Sequence, residues 1–137
     1  MGLLIDTDLL IDLERGGGTD ALRRLVAAED SAVSVITMSE LLHGVLRADA
    51  GVRSARSAFV ERLLASMRAI PITEPVARAH ADVWAELSMR GEPIGTHDLW
   101  IAATASTRGH PLVTCDEGQA RLGADPTLEV VFLPVPS

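Results

Sequence analysis

The chain of 137 residues contains no lysine and no tyrosine, and it has a single cysteine, Cys115. The absence of lysine excludes Schiff-base chemistry and a Walker-type phosphate loop, since both require a lysine amine. One cysteine excludes an internal disulfide and a cysteine-based zinc site. Only 3% of the residues are aromatic, so a surface that stacks nucleic-acid bases on aromatic rings is not expected.

Long apolar runs and a basic leader are also missing. No apolar run approaches the roughly 18 to 20 residues of a membrane span. The first residues, Met1–Asp6, have no basic segment and reach an acidic residue too early for a signal peptide. We therefore expect a cytoplasmic protein without a membrane segment. The length and the 47% hydrophobic content predict one globular domain over residues 1–137.

The charge balance is acidic. Nineteen Asp and Glu residues stand against 12 basic residues, all of them arginine, which gives a net charge of −7. An acidic domain is not an obvious nucleic-acid-binding protein. The overall charge alone therefore argues against a nucleic-acid partner, and only the positions of the acids argue for one.

Short apolar segments that favour strands alternate with segments of helical periodicity. The predicted strands are Leu3–Ile5, Ala32–Ile36, Ala69–Ile72, Leu112–Thr114 and Val130–Leu133. The predicted helices are Leu9–Leu13, Asp20–Ala28, Met38–Ala48, Arg53–Met67, Pro75–Arg90, Asp98–Thr107 and Glu117–Leu122. Pro71 indicates an edge strand, and Gly91 and Gly109 stand where helices should end. The alternation predicts a single α/β domain around a mostly parallel sheet.

Four acids fall where this sheet would bind a ligand, because ligands of open parallel sheets lie outside the carboxyl ends of the strands. Asp6 directly follows the first predicted strand, and Glu40 lies in the first turn of the helix after the second. Asp98 begins a later helix, and Asp116 follows the strand Leu112–Thr114. These acids come from separated segments, and we expect them to converge on one edge of the sheet.

Such a cluster would be unfavourable without a cation. Two carboxylates about 5 Å apart repel by roughly 3 kcal/mol at an effective dielectric constant near 20. A hard divalent ion relieves the repulsion, and Mg²⁺ or Mn²⁺ prefers oxygen ligands. An ion held by acids supports phosphodiester hydrolysis, which needs no lysine, no cysteine and no covalent intermediate.

Each acid also has a purely structural interpretation. Glu40 follows Thr37 at the spacing of a capping box, so its carboxylate could simply bond the Thr37 amide. Asp98 could favour the helix dipole, and Asp116 could be a turn residue. Asp8 is expected to cap a helix or to support the ligands rather than to bind the ion itself. The shared location of the acids is what favours a metal site.

Four stretches of the sequence carry a resemblance: Leu4–Asp8, Thr37–Leu41, Asp98–Ala103 and Leu112–Asp116. In order and spacing they resemble the PIN-domain ribonucleases, and within them the VapC-type toxins of prokaryotic toxin–antitoxin pairs. The resemblance extends over nearly the whole chain. It implies an α/β/α sandwich whose acidic pocket binds Mg²⁺ or Mn²⁺ and cuts single-stranded regions of RNA, leaving 3′-hydroxyl and 5′-phosphate ends.

The resemblance also implies roles for individual residues. Three positions match the family's most regular acids: Asp6, Glu40 and Asp98. Asp116 matches its more variable fourth acid, with Glu117 as a lesser candidate. Thr114 matches a hydroxyl residue that is usual at the end of this strand.

Partners follow from the same resemblance. Such toxins pair with a cognate, VapB-like antitoxin that sends a C-terminal segment across the acidic pocket, and they form homodimers and larger toxin–antitoxin assemblies. RNA phosphates would contact arginines at the rim, for which the candidates are Arg15, Arg47, Arg53, Arg56, Arg108 and Arg121. His43 and His97 are expected to be solvated or structural, and Trp84 and Trp100 to lie in the core or at an interface.

Three other functions remain open at this point. A phosphatase of the haloacid-dehalogenase type would use Asp6 as its nucleophile, although the usual lysine and the expected Gly-Thr pair are absent. A PIN-like nuclease acting on DNA is not excluded by any residue. A non-catalytic PIN-like module that binds a partner would not need all four acids.

Overall fold

A computed structural model describes residues 2–27, 30–124 and 128–133. Its five strands are β1 (Leu3–Ile5), β2 (Ser31–Ser34), β3 (Arg68–Ile70), β4 (Leu112–Thr114) and β5 (Val130–Phe132). Its helices are α1 (Thr7–Glu14), α2 (Asp20–Ala27), α3 (Val35–Arg47), α4 (Ala50–Ser66), α5 (Glu74–Arg90), α6 (Thr96–Arg108) and α7 (Glu117–Ala120). A 3₁₀ helix (Arg121–Ala124) follows α7. No helix within these ranges is long and apolar enough to span a membrane.

The strands form one sheet in the order β3-β2-β1-β4-β5, and every neighbouring pair is parallel. The chain moves outward from β1 through β2 to β3, and then continues on the other side of β1 with β4 and β5. The strand order therefore reverses between β1 and β4. In open parallel sheets this switch point, at the carboxyl ends of the strands, is where ligands bind.

Successive strand residues point to opposite faces of the sheet, and each face has its own apolar core. Leu4, Ala32 and Leu112 pack with residues of α5 and α6 on one face. Their neighbours in sequence, Ile5, Val33 and Val113, pack with residues of helices α1 to α4 on the other. The sheet is covered on both sides, which explains its nearly continuous apolar strands and confirms the predicted α/β/α sandwich.

The start of α3 differs from the prediction. Val35 and Ile36 favour strands by their branched side chains, yet both are helical, because the Ser34 hydroxyl caps the helix by accepting the Ile36 N–H at 3.0 Å. Thr37 therefore lies inside the helix rather than at its cap. The capping-box interpretation of Thr37 and Glu40 is wrong.

Other element boundaries agree with the sequence pattern to within a few residues. Strand β3 is an edge strand, and Pro71 follows its last residue. Gly91 and Gly109 end α5 and α6 in the left-handed conformation, with φ of 66° and 65°. The predicted end of α2 at Ala28 lies outside the described residues.

Candidate active site

Asp6 lies at the switch point, directly after β1, and its side chain is almost completely buried. Its Oδ1 accepts the N–H of Thr7 at 2.9 Å, and its Oδ2 accepts the hydroxyl of Thr114, at the end of β4, at 2.7 Å. The main-chain N–H of Asp6 donates to the Val113 carbonyl at 2.9 Å. Asp6 is thus fixed between β1 and β4 through both carboxylate oxygens and its main chain.

Glu40 reaches the same edge from α3, and its side chain is 29% exposed. The Thr7 hydroxyl donates to Glu40 Oε1 at 2.7 Å. On the other side, Nδ1 of the exposed His97 lies 3.4 Å from Glu40 Oε2. The carboxylate of α3 is therefore held between the start of α1 and the start of α6.

Asp98 projects from the first turn of α6, where Gly95 is the cap residue. A Cβ at Gly95 would stand 3.2 Å from Asp98 Oδ2, tighter than ordinary packing, so the glycine leaves room for this carboxylate. The main-chain carbonyl of Asp98 accepts the side-chain amide of the fully buried Gln119 at 3.2 Å. This bond joins α6 to α7 beside the acids.

Asp116 caps α7 at the carboxyl end of β4. Its Oδ1 accepts the Gly118 N–H at 2.8 Å, and its own N–H donates to Thr114 Oγ1 at 3.0 Å. The structural role of Asp116 is thus that of a helix cap, and its role as a ligand stays a prediction. Thr114 consequently contacts two acids of the site, Asp6 through its hydroxyl proton and Asp116 as an acceptor.

The acids share one strongly negative field. The pKa of Asp6 is raised to about 6: burial is the largest cause, the charges of Asp8 and Asp116 add to it, and the hydrogen bonds from Thr114 and Thr7 oppose it. Burial, followed by the charges of Asp116 and Glu40, also raises the pKa of Asp8. These acids therefore disfavour one another's ionised forms.

Asp98 is affected most strongly, with a pKa raised to about 7. Burial is the largest cause, and four carboxylates add to it: Asp6, Asp116, Asp8 and Glu40. All the charges that shift the pKa values of Asp6, Asp8 and Asp98 are carboxylates. The edge of the sheet thus collects negative charge that no basic side chain offsets at these three groups.

Comparison with known proteins places this site in a family. The family model for the PIN domain matches residues 3–125. The chain belongs to the PIN-domain family. Ribonuclease VapC5 of Mycobacterium tuberculosis is 32% identical over 129 residues, 93% of each chain. Ribonuclease VapC of Rickettsia bellii is 32% identical over 137 residues, 98% of each chain, so within the family this PIN domain is a VapC relative.

A solved structure agrees with this assignment. The structure of a member of the VapBC family of toxin–antitoxin systems, VapBC-5 from Mycobacterium tuberculosis, matches with a TM-score of 0.80 at 28% identity. The match covers 96% of this PIN domain and 98% of the solved chain. The predicted resemblance is confirmed, and the haloacid-dehalogenase alternative is not supported.

The donors of this PIN domain suit a hard divalent cation, because carboxylate oxygens are the ligands that Mg²⁺ and Mn²⁺ prefer. Within the described ranges, however, no three His, Cys, Asp or Glu side chains are grouped so that they would hold an ion as they stand. The site is a cluster of electrostatically coupled acids rather than a finished coordination sphere. Its lesser candidate, Glu117, is exposed on α7 and does not contribute to the raised pKa values.

Among the described residues, two of the six candidate arginines have hydrogen-bond or ion-pair partners. Arg53 donates to the Ala48 carbonyl at 2.9 Å, and Arg56 pairs with Glu14 at 2.8 Å.

Trp100 is partly buried and stacks on His80 with ring centroids 3.6 Å apart. Trp84 is 60% exposed, so of its two predicted positions the core is wrong and an interface stays a prediction.

Three polar residues beside the acids have no part in the predicted site: Thr7, Thr37 and Gln119. All three are buried, and Thr7 contacts both Asp6 and Glu40. Thr7 and Thr37 do lie inside stretches that resemble the PIN domain, which was the available signal. The contacts themselves join elements that are far apart in the chain and depend on packing.

Proposed function

We propose that this chain is a divalent-metal-dependent endoribonuclease, the toxin of a type II toxin–antitoxin pair, acting on single-stranded regions of RNA in a prokaryotic cytoplasm. The observation that carries the proposal is the cluster of acids at the switch point, where burial, followed by mutual repulsion, raises the pKa of Asp6 and Asp98. The relatives that are named ribonucleases support the choice of reaction.

Asp6, Glu40 and Asp98 would hold Mg²⁺ or Mn²⁺, and Asp116 would complete the site or orient a water. When bound, the cation would offset the carboxylate charges, polarise a phosphoryl oxygen and make a water molecule more acidic. This chemistry matches a chain that lacks lysine and has no reactive cysteine, since burial raises the pKa of the Cys115 thiol to about 11.

The protein's own residues prepare the pocket for this task. Thr114 and the Thr7 N–H fix the two oxygens of Asp6, so the carboxylate does not rotate away from its neighbours. Helix α7 engages one oxygen of Asp116, so the other oxygen is the one to orient a water. Rigid support of this kind is what a metal-dependent nuclease requires of its ligands.

The partner would be a VapB-like antitoxin, as in the VapBC-5 structure from Mycobacterium tuberculosis. An arginine-bearing antitoxin segment suits this site, because arginine pairs with carboxylates in two parallel hydrogen bonds and only carboxylates act on the pKa values of Asp6, Asp8 and Asp98. Toxin homodimers and larger toxin–antitoxin assemblies belong to the same proposal.

The test uses antitoxin-free protein, labelled single-stranded RNA and matched single-stranded DNA, with Mg²⁺, Mn²⁺ or EDTA. We expect RNA cleavage that requires the ion. Asp98→Asn should lower cleavage by at least as much as the loss of an outer-sphere partner, which typically costs 10- to 100-fold. Asp82→Asn, which removes an exposed carboxylate from α5, should retain activity.

Two results would contradict the proposal. Cleavage of DNA alone would indicate a DNA nuclease. If neither nucleic acid is cut and neither ion binds, the chain is a partner-binding module. Sequencing of the RNA ends from a positive assay would identify the cut sites and show whether the products carry the expected 5′-phosphate.

A further inference from the structure

Thr7 begins α1 and contacts two acids of the site at once. Its main-chain N–H donates to Asp6 Oδ1 at 2.9 Å, and its hydroxyl lies 2.7 Å from Glu40 Oε1. The same hydroxyl lies 3.0 Å from Thr37 Oγ1 on α3. Thr7 is 3% exposed and Thr37 is fully buried, so water does not replace these partners.

The number of protons sets the direction of this chain of hydrogen bonds. A hydroxyl has one proton to donate, and an ionised carboxylate can only accept. Thr7 therefore donates to Glu40, and the proton of Thr37 is the one shared between the two hydroxyls. Because Thr37 donates its proton to the Thr7 oxygen, the Thr7 proton points away from Thr37 and toward the Glu40 carboxylate.

Glu40 needs such a restraint more than its neighbours do. Its side chain is 29% exposed and has three rotatable bonds, and its second oxygen lies beside only the exposed His97, whereas Asp6 is buried with both oxygens hydrogen-bonded. Repulsion from the other acids favours rotamers that turn the Glu40 carboxylate toward solvent. The buried hydroxyl of Thr7 is a fixed donor that opposes this movement.

We propose that Thr7, supported by Thr37, is a positioning residue that holds the Glu40 carboxylate beside Asp6 so that both can bind one divalent cation. The inference rests on the proposed function. Outer-sphere hydrogen bonds that orient ligands typically account for 10- to 100-fold in metal affinity.

A merely structural role is the competing explanation, because a buried threonine also fills space. Thr7→Val keeps the shape and removes the hydroxyl, and Thr7→Ser keeps the hydroxyl and removes a methyl group. Thr104 provides the matched control: it is fully buried on α6, and its hydroxyl donates to the Trp100 carbonyl at 2.8 Å. Thr104→Val thus removes a buried hydroxyl away from the acids.

The experiment measures Mn²⁺ binding to antitoxin-free protein from the loss of the free-ion electron paramagnetic resonance signal, with urea unfolding as the folding control. Thr7→Val should bind Mn²⁺ about 10- to 100-fold more weakly. Thr7→Ser and Thr104→Val should bind like the wild type. Thr37→Val should weaken binding less than Thr7→Val, and the double variant no more than Thr7→Val, because the two hydroxyls act in series.

The outcomes separate this inference from the function on which it rests. If the wild type binds Mn²⁺ and folded Thr7→Val binds it equally well, the positioning role is refuted. The same holds if Thr7→Ser binds as weakly as Thr7→Val, since the methyl group would then be responsible. If Thr7→Val does not fold, unchanged binding in Thr37→Val refutes the series. A wild type that neither binds Mn²⁺ nor cleaves RNA overturns both proposals.

Discussion

Replacing Asp6 with asparagine should make the metal-free protein more stable at pH 8. The carboxyl group ionises near 3.8 in an unfolded chain, but its pKa is about 6 in the folded protein, chiefly because it is buried. Above pH 6 the folded protein therefore contains an ionised group that it disfavours. The difference of about two pKa units corresponds to about 3 kcal/mol at pH 8.

Asparagine recovers most of this free energy. It has the shape of the protonated acid, and its amide nitrogen can donate to Thr114 Oγ1, which has lone pairs for this bond and for the Asp116 N–H. The Thr114 hydroxyl proton then loses its acceptor, Asp6 Oδ2, and this lost neutral hydrogen bond costs about 1 kcal/mol. The expected net gain at pH 8 is about 2 kcal/mol.

The gain must depend on pH in a defined direction. A raised pKa in the folded state means that the penalty of ionisation is absent below the unfolded value near 3.8 and is complete above about 6. At pH 5 roughly half of it remains, so the advantage of Asp6→Asn should fall by about 1.4 kcal/mol between pH 8 and pH 5.

Urea unfolding in EDTA at both pH values measures this difference. Asp82→Asn, on the exposed face of α5, serves as the control and should show no such change with pH. If Asp6→Asn is less stable than the wild type at pH 8, or if its stability advantage is the same at both pH values, then burial does not raise the pKa of Asp6 as stated. Loss of RNA cleavage in the same variant tests its role in the site.

Three further predictions concern proton release on metal binding, two helix glycines and the single cysteine. Mn²⁺ binding at pH 6.5 should release about one proton per ion, because the pKa values of Asp98 and Asp6 are about 7 and 6. Calorimetry in two buffers of different ionisation enthalpy measures the proton release, and binding heats that do not depend on the buffer would contradict it. Gly91→Ala should destabilise the fold by about 1 kcal/mol, because the residue has a left-handed backbone with φ 66°. Gly51→Ala, in open space within α4, should stabilise the fold by about 0.5 to 1 kcal/mol. Urea unfolding measures both changes, and equal effects of the two substitutions would contradict the prediction. Cys115 should react with Ellman's reagent at pH 8 about 100-fold more slowly than a free cysteine, because its pKa is about 11; equal rates would refute the burial argument.

The sequence predicted the location of the site because that location depends on topology. Short apolar strands separated by helices indicate a parallel sheet, and an acid directly after a strand must then lie at its carboxyl edge. Asp6 and Asp116 follow β1 and β4 in this way. The edge position of β3 was also predicted, from Pro71, although this proline follows the strand instead of lying within it.

The hydrogen bonds within the site could not be predicted in the same way. Thr37 and Glu40 have the spacing of a capping box, but the Ser34 hydroxyl already caps α3, and Glu40 bonds Thr7 instead. The bond from Thr114 to Asp6 joins residues 108 positions apart. Such contacts depend on how helices pack on the sheet and on which rotamers remain free, and local spacing does not contain that information.

The central claim is that Asp6, Glu40 and Asp98 bind one divalent cation at the switch point of the sheet. A crystal of the antitoxin-free protein grown with Mn²⁺, with diffraction data collected near the manganese absorption edge, tests it directly. We expect an anomalous peak contacting oxygens of all three carboxylates, and loss of that peak in crystals of Asp98→Asn. Manganese bound elsewhere, or a pocket left without manganese at saturating concentration, would contradict the claim.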